Sequence, residues 1–220
     1  MKRFVLMTLV VASLVVGTVA AAPALAQSPV PVAATTSVTE DEAAGLAFMR
    51  EEEKLAHDVY VALYDKWGLP VFKNISAAEQ THSDAVKRLL DRYGVEDPTA
   101  GNAAGEFTNP TLQSLYDELV AQGSQSIADA LKVGAAIEEI DILDLQERIA
   151  QTDKADIVRV YSNLLKGSEN HLRAFASNLK ARGETYAPQH LSQAAYDQII
   201  GSPNASGNAG ARGRNGGRGR

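Results

Sequence analysis

Hydrophobic residues recur at every third or fourth position through most of residues 39–200, which is the period of α-helices that bury one face. The first helix is predicted over residues 39–67, because Thr39 and Glu42 have the spacing of a capping box and a glycine follows the last residue. A second helix is predicted over residues 70–93, with proline in its first turn and glycine after its end. No part of this pattern indicates a strand.

Two further long helices are predicted, over residues 126–149 and from 152 or 153 to a glycine stop at 183. A short helix over residues 110–122 turns the connection between the second and third long helices into a long crossover, and a last small helix is predicted over residues 192–200. Two short-linked helix pairs joined by one long connection are typical of ferritin-like proteins. The predicted fold is therefore all-α, a ferritin-like four-helix bundle with a short extra helix in its crossover.

Residues 1–26 have the organisation of a signal peptide. Lys2 and Arg3 precede an apolar run over residues 4–19 that is short for a membrane span, and small residues lead to a cleavage site after Ala26. The chain contains no cysteine, so neither a lipid anchor nor a disulfide is expected. The protein is therefore expected to be exported, to the periplasm or outside the cell.

Composition and charge divide the rest of the chain. Residues 27–38, rich in Pro, Ala, Thr and Val, are predicted to form a disordered linker. Residues 201–220, with four arginines, seven glycines and no acidic residue, are predicted to form a disordered tail. Residues 27–200 carry 15 basic and 27 acidic residues, a net charge of −12. The folded domain is thus expected over residues 39–200.

Three roles are open for the basic tail. Its arginines could bind an anionic surface of the envelope, such as lipid or a wall polymer, or the tail could be a solubilising end without a specific partner. Tails of Arg and Gly also bind RNA. Because the protein is expected to be exported, no specific nucleic-acid partner is expected.

Ionisable side chains interrupt the apolar face of every long helix. They are, in chain order, Glu52, Glu53, Glu79, His82, Glu138, Asp141 and His171. Three neighbouring acidic residues are interpreted differently. Glu51 falls outside the apolar face, Glu139 is predicted to point to the polar side, and Glu169 lies near an edge.

The four long helices are predicted to place these groups in one layer. Glu53 lies about 20 Å of helix before the turn that follows the first helix. Glu79 and His82 reach a similar depth if the second helix begins at Pro70. A start at Ser76 would instead make Glu79 part of a capping box near the end of the bundle.

Burying several ionisable groups in an apolar bundle is costly unless they neutralise one another or bind a cation. A metal site is the simpler interpretation, and carboxylate and imidazole ligands without thiolates suit iron, manganese or zinc. The alternative is a purely structural network of buried polar groups, since a buried histidine usually finds hydrogen-bond partners.

Several segments resemble known ferritin-like proteins. Glu53-Lys54-Leu55-Ala56-His57-Asp58-Val59-Tyr60 resembles the Glu-x-x-Ala-x-x-x-Tyr of the first rubrerythrin helix. Phe72-Lys73-Asn74-Ile75-Ser76-Ala77-Ala78-Glu79-Gln80-Thr81-His82 resembles the second helix, and Glu138-Glu139-Ile140-Asp141 resembles the Glu-x-x-Glu of the third. Residues 40–200, including Asn170-His171-Leu172-Arg173-Ala174-Phe175, resemble the bacterial ferritin-like family known as domain of unknown function 2202. This resemblance implies the fold strongly and the activity weakly.

The resemblance also distinguishes between candidate ligand residues. It favours Glu53 over Glu52 as a ligand, although Glu52 lies nearer the middle of the apolar face. Ferritin-like two-iron sites have Glu-x-x-His on the fourth helix, where this chain has Ser168 and His171. Asp141 could replace the missing carboxylate, the site could hold a single metal, or the serine could leave room for a substrate.

The predicted ligands are thus Glu53, Glu79, His82, Glu138 and His171, with Glu52 and Asp141 as further candidates. The resemblance implies iron as the bound metal, and a complete set of ligands would hold two iron ions. Manganese and zinc are the alternatives. The expected activity is oxidation of Fe(II) or removal of peroxide in the cell envelope. A metal-holding protein without turnover and an interaction module with a structural polar layer are the alternatives. A monomer or dimer is expected rather than a cage.

Overall fold

The computed structural model describes residues 37–202, which form six α-helices and no β-strand. The helices are α1 (Glu40–Trp67), α2 (Pro70–Tyr93), α3 (Pro110–Gly123), α4 (Ile127–Ala150), α5 (Ala155–Lys180) and α6 (Gln193–Gly201). The prediction of an all-helical fold is confirmed for this part of the chain, in which no helix is long and apolar enough to cross a membrane. The predicted signal peptide and most of the predicted linker and tail lie outside the described residues.

Local interactions explain where the first two helices begin and end. The Thr39 hydroxyl accepts a hydrogen bond from the Glu42 N–H at 3.1 Å, and the Glu42 carboxylate accepts one from the Thr39 N–H at 2.8 Å. This is the predicted capping box. Gly68 and Gly94 follow α1 and α2 with φ angles of +65° and +66°, a conformation that favours glycine.

The start of α5 differs from the prediction. The helix begins at Ala155, after Lys154, and not at residue 152 or 153. The Thr152 hydroxyl accepts a hydrogen bond from the Lys154 N–H at 3.2 Å and donates one to the Glu42 carboxylate at 2.5 Å. Thr152 therefore lies in the turn before α5 and connects this turn to the beginning of α1.

Four long helices pack as two connected pairs. α1 packs most extensively on α2, and α4 on α5, while α1–α4 and α2–α5 contacts join the pairs. Neighbouring helices run in opposite directions: Tyr60 of α1 contacts Gly134 of α4, whereas Gly45 near the start of α1 lies beside Arg148 near the end of α4. α3 packs on α1 and α4, and α6 packs on α5.

The apolar core has two parts, which lie on either side of a polar layer along the helices. One part includes the aromatic rings of Tyr60, Phe72 and Phe175, whose centroids are 5.3 to 6.2 Å apart. The other part is formed by Leu46, Met49, Val86, Leu89, Leu90, Leu145, Ile157, Tyr161 and Leu164. The predicted ligands lie between these two parts.

The crossover between α2 and α3 covers a side of α1 that its sequence pattern marks as polar. Glu51, predicted to fall outside the apolar face, is buried, and its carboxylate accepts hydrogen bonds from the N–H groups of Thr108 at 2.6 Å and Asn109 at 3.1 Å. The Asp58 carboxylate accepts a similar bond from Gly105 at 2.9 Å. Glu51 therefore holds the beginning of α3, where a negative charge is favoured.

Candidate metal centre

Glu79 of α2 lies between two histidines. Its Oε2 atom is 2.7 Å from Nδ1 of His82, which is one turn later on the same helix. Its Oε1 atom is 2.7 Å from Nδ1 of His171 on α5. The Glu-x-x-His spacing places the first histidine beside the glutamate, and helix packing brings the second.

Each histidine also faces a second buried carboxylate. Nδ1 of His82 is 3.4 Å from Oε2 of Glu53 on α1, and Nδ1 of His171 is 3.5 Å from Oε2 of Glu138 on α4. Glu53, Glu79 and Glu138 are each 2 % exposed. The layer thus contains two groups of three residues that share Glu79, and in each group the three potential ligand atoms lie within 4.8 Å of one another.

The geometry within these groups fits a cation better than it fits hydrogen bonds. Nδ1 of His82 and Nδ1 of His171 are close to Glu79, yet neither nitrogen has a well-aligned hydrogen-bond partner, and Oε1 of Glu53 and Oε1 of Glu79 also lack one. Buried polar atoms without partners are rare in proteins. Carboxylate oxygens and imidazole nitrogens are ligands of divalent transition metals. These residues can therefore hold a metal, whose identity the geometry does not indicate.

The electrostatics of the layer favour a cation as well. Burial lowers the pKa of His82 and His171, but the neighbouring carboxylates outweigh it and raise both pKa values. Burial raises the pKa of Glu53 and Glu138, and nearby carboxylates raise it further. Burial also acts to raise the pKa of Glu79, but the two histidines lower it below its usual range. Without metal the layer therefore retains protons that a cation would replace.

Glu52 and Asp141 lie beside these groups, between α1 and α4. Both are buried, and Asp141 accepts a hydrogen bond from the hydroxyl of Ser168 on α5. Oε2 of Glu52 and Oδ1 of Asp141 have no partner. They face a cavity of about 10 Å³, roughly the space of one water molecule. The carboxylates around this cavity are Glu52, Glu53, Glu79, Glu138 and Asp141.

Two residues without a ligand atom in the centre fix the position of the ligands. The Tyr60 hydroxyl donates a hydrogen bond to Oε1 of Glu138 at 2.6 Å. Gly167 of α5 lies against the ring of His82, and a Cβ atom at this position would be 2.5 Å from Cε1 and 2.7 Å from Nε2 of the ring. Tyr60 belongs to a motif that the sequence displays, whereas nothing in the sequence singled out Gly167.

Most predicted site residues meet in the structure. Five of the seven form the two groups, and Glu52 and Asp141 adjoin them. Ser168 is fully buried in the layer, where it binds Asp141. Glu169 lies away from the centre, with a carboxylate oxygen 3.5 Å from the Arg173 guanidinium.

The prediction for Glu139 is wrong. This residue was expected on the polar side of its helix, but it is fully buried. Its Oε2 atom accepts hydrogen bonds from the N–H groups of Gln189, His190 and Leu191, at 2.9, 2.6 and 2.8 Å. The connection before α6 covers this side of α4, and the periodicity of a single helix carries no information about a distant segment that covers it.

Comparisons with known proteins identify a family and a similar protein of known structure. The family described as "Uncharacterized protein domain (DUF2202)" matches residues 42–203. The chain belongs to this family. The uncharacterized protein MJ0754 of Methanocaldococcus jannaschii is 53% identical over 165 residues, which are 75% of this chain and 89% of that protein. The crystal structure of the hypothetical protein MJ0754 from Methanococcus jannaschii DSM 2661 has a TM-score of 0.74 at 52% identity, covering 76% of this chain and 95% of the other.

The resemblance to domain of unknown function 2202 is thereby confirmed. The descriptions of the family and of MJ0754 assign no activity. A functional conclusion for this chain must therefore come from the chemistry of the site.

Proposed function

We propose that this protein binds two divalent metal ions in one carboxylate and histidine centre. The proposal rests on the position of Glu79, whose two oxygens each lie 2.7 Å from a different histidine. A carboxylate placed in this way can bridge two ions. His82 and Glu53 then complete one group of ligands, and His171 and Glu138 complete the other.

The proposal includes a ferritin-like arrangement of the helices. Its support is the packing of two antiparallel pairs, α1–α2 and α4–α5, which are joined by a long connection containing α3. Ferritin-like metal sites take one glutamate from each of two helices and Glu-x-x-His from each of the other two. Here Glu53 and Glu138 correspond to the single glutamates, and α5 has Ser168 in place of the fourth carboxylate. Asp141, bonded to Ser168, offers a carboxylate at that place.

Iron or manganese is the proposed metal. Carboxylates outnumber imidazoles in the layer, and the chain has no cysteine. Oxygen-rich sites suit these ions, whereas structural zinc sites favour cysteine and histidine.

With iron bound, the proposed reaction is oxidation of Fe(II) by peroxide. Two Fe(II) ions each supply one electron, so that one hydrogen peroxide and two protons yield two water molecules. The chain orients the ligands for this reaction, since Tyr60 fixes one oxygen of Glu138 at 2.6 Å. The small cavity beside Glu52 and Asp141 has room for about one oxygen atom of a substrate.

Metal content tests the centre. The protein is loaded with Mn(II), or with Fe(II) in the absence of oxygen, and excess metal is then removed. Two ions per chain are expected to remain bound, one for each group. Glu79→Ala removes the shared carboxylate and is expected to lose both ions, whereas Glu169→Ala is expected to retain both. A parent protein without bound metal would contradict the proposal and favour a structural polar network.

Peroxide consumption tests the reaction separately. Loaded protein is expected to consume one peroxide for every two Fe(II) ions oxidised. The Glu79→Ala variant is expected to consume peroxide no faster than free Fe(II) does. Retention of two ions without peroxide consumption would identify a metal-holding protein.

We also propose that the protein acts outside the cytoplasm and that its tail contacts an anionic surface. The support is the signal-peptide pattern of residues 1–26 and the four arginines of residues 201–220. Mass spectrometry of protein from the cell envelope is expected to find Gln27 as the first residue.

Deletion of residues 201–220 is expected to reduce retention on anionic vesicles at low salt only, because salt screens such attraction. Equal retention of both forms at low salt would show that the tail does not bind the vesicles.

A further inference from the structure

A series of carboxylates extends from the centre towards solvent between α1 and α4. The contacts of Tyr60 with Gly134 and of Gly45 with Arg148 set an antiparallel register in which Glu52 lies opposite Asp141, and Asp144 follows Asp141 by about one turn on the same face of α4. Asp144 is half-buried, whereas Glu52 and Asp141 are 5 % and 6 % exposed. Glu52 also adjoins the proposed ligand Glu53 in the chain. The series therefore connects a residue that reaches solvent with the centre.

The polar side chains around the inner part of this series are all carboxylates. Oε2 of Glu52 and Oδ1 of Asp141 are buried without partners, and both residues line the cavity of about 10 Å³. The remaining carboxylates of its lining belong to the proposed ligands, while both histidines lie outside it. Ala56 and Ile137 complete the lining. Coordination by oxygen alone is acceptable to hard divalent cations.

Ion pairing with a basic side chain does not account for these carboxylates. Within residues 37–202, neither Glu52 nor Asp141 nor Asp144 has a lysine, arginine or histidine nitrogen within 4.0 Å. The buried Asp58, which holds the crossover, is by contrast paired with Lys54 at 2.5 Å. Buried carboxylates without a cationic partner cost stability. A cation that passes between them explains why they are present.

We propose that Glu52, Asp141 and Asp144 form an access path along which divalent cations move between solvent and the centre, with the carboxylate-lined cavity as a transit site. The inference rests on the proposed metal centre and adds the route by which that centre is filled. A cleft lined by one sign of charge raises the local concentration of the opposite ion and accelerates its association by about 10- to 1,000-fold. The transit site lacks histidine, so it holds the ion less tightly than the two groups that contain one.

The rate of metal loading tests the path. Metal-free protein is mixed with Co²⁺ in a stopped-flow instrument, and the visible absorbance of Co²⁺ reports its arrival at the histidine ligands. Asp144→Asn is expected to lower the association rate about tenfold, with the parent's amount of metal bound at equilibrium. Glu52→Gln is expected to lower the rate by at least as much. The matched control is Glu147→Gln, which removes the same charge from the exposed side of α4 and is expected to load at the parent's rate.

The outcomes separate the path from the centre. Equal rates for Asp144→Asn and Glu147→Gln, with metal bound in the parent, overturn the path and leave the proposed centre intact. Loss of metal at equilibrium from Asp144→Asn makes Asp144 a ligand and also overturns the path. A parent that binds no metal overturns both. Circular dichroism verifies that each variant is folded, and if Glu52→Gln is not, the half-buried Asp144 decides the question alone.

Discussion

At the scale of residues, positions that provide no ligand atom also determine how the candidate ligands are arranged. Gly167 allows α5 to approach His82, and Tyr60 orients Glu138. Neither contact follows from helical periodicity, because each depends on which atoms meet across two helices. The centre should therefore respond to changes outside its set of ligands.

Gly167→Ala tests this dependence. Alanine favours a helix over glycine by about 1 kcal/mol, but its Cβ would lie 2.5 Å from the ring of His82 and displace it from Glu53 and Glu79. Metal affinity is expected to fall roughly 10- to 100-fold, as measured by competition with a chelating dye. Gly201→Ala, where a Cβ meets no atom within 4 Å, is the control and should bind metal as the parent does. Unchanged affinity in Gly167→Ala would mean that His82 is not a ligand.

Metal affinity should rise with pH. Carboxylates raise the pKa of His82 to about 11 and of His171 to about 10, so both histidines carry protons at neutral pH in the absence of metal. A bound cation must displace these protons, and competition from protons weakens as pH rises towards the raised pKa values. Calorimetry in buffers of different ionisation enthalpy should detect proton release on binding at pH 7. Affinity independent of pH between 6 and 8 would contradict this view of the histidines.

At the scale of elements, local signals in the sequence predict much of the structure. A capping box and a glycine mark the ends of α1, and a proline and a glycine mark those of α2. Interruptions of the apolar faces identify the polar layer before any contact is known. Glu51 and Glu139 show the limit of this approach. Both are buried because the crossover and the connection before α6 cover sides of α1 and α4 that periodicity marks as polar. Distances between ligands were also beyond prediction, since they depend on side-chain conformation across helices.

Glu139→Ala should destabilise the fold without emptying the centre. The substitution leaves the three N–H groups of Gln189, His190 and Leu191 without their buried acceptor. The free energy of unfolding is expected to fall by about 3 kcal/mol, because hydrogen bonds to a buried charge are strong and their loss leaves donors unsatisfied. Denaturant unfolding measures this change, and metal analysis of the folded variant should match the parent. Glu138→Ala, one residue earlier, should instead lose metal, and equal metal loss from both would contradict the assignment of Glu139.

At the scale of the whole molecule, the polar layer interrupts an otherwise apolar interior. Buried carboxylates and two histidines separate the two parts of the core. The chain has no cysteine and therefore no disulfide to offset the cost of this interruption. A bound metal would stabilise this level of the bundle.

Removal of metal should therefore lower thermal stability. An ion that binds only the folded chain stabilises it by about 2.7 kcal/mol when its free concentration is 100 times its Kd. For a chain of this size, that corresponds to an increase in Tm of roughly 5 to 10 °C. Melting curves with Mn²⁺ and with a chelator should differ by this amount in the parent and coincide in Glu79→Ala. A difference of the same size in both proteins would place the stabilising metal outside the layer.

Anomalous diffraction from crystals loaded with iron or manganese tests the shared position of Glu79 most directly, because it locates each metal independently of the side chains. Two peaks are expected, one beside His82 and Glu53 and one beside His171 and Glu138, with one oxygen of Glu79 bound to each. Their separation is expected to be about 3.5 to 4 Å, as in other two-metal sites. No peak in the polar layer of a metal-loaded crystal, or peaks that leave Glu79 without a bound ion, would contradict the proposed centre.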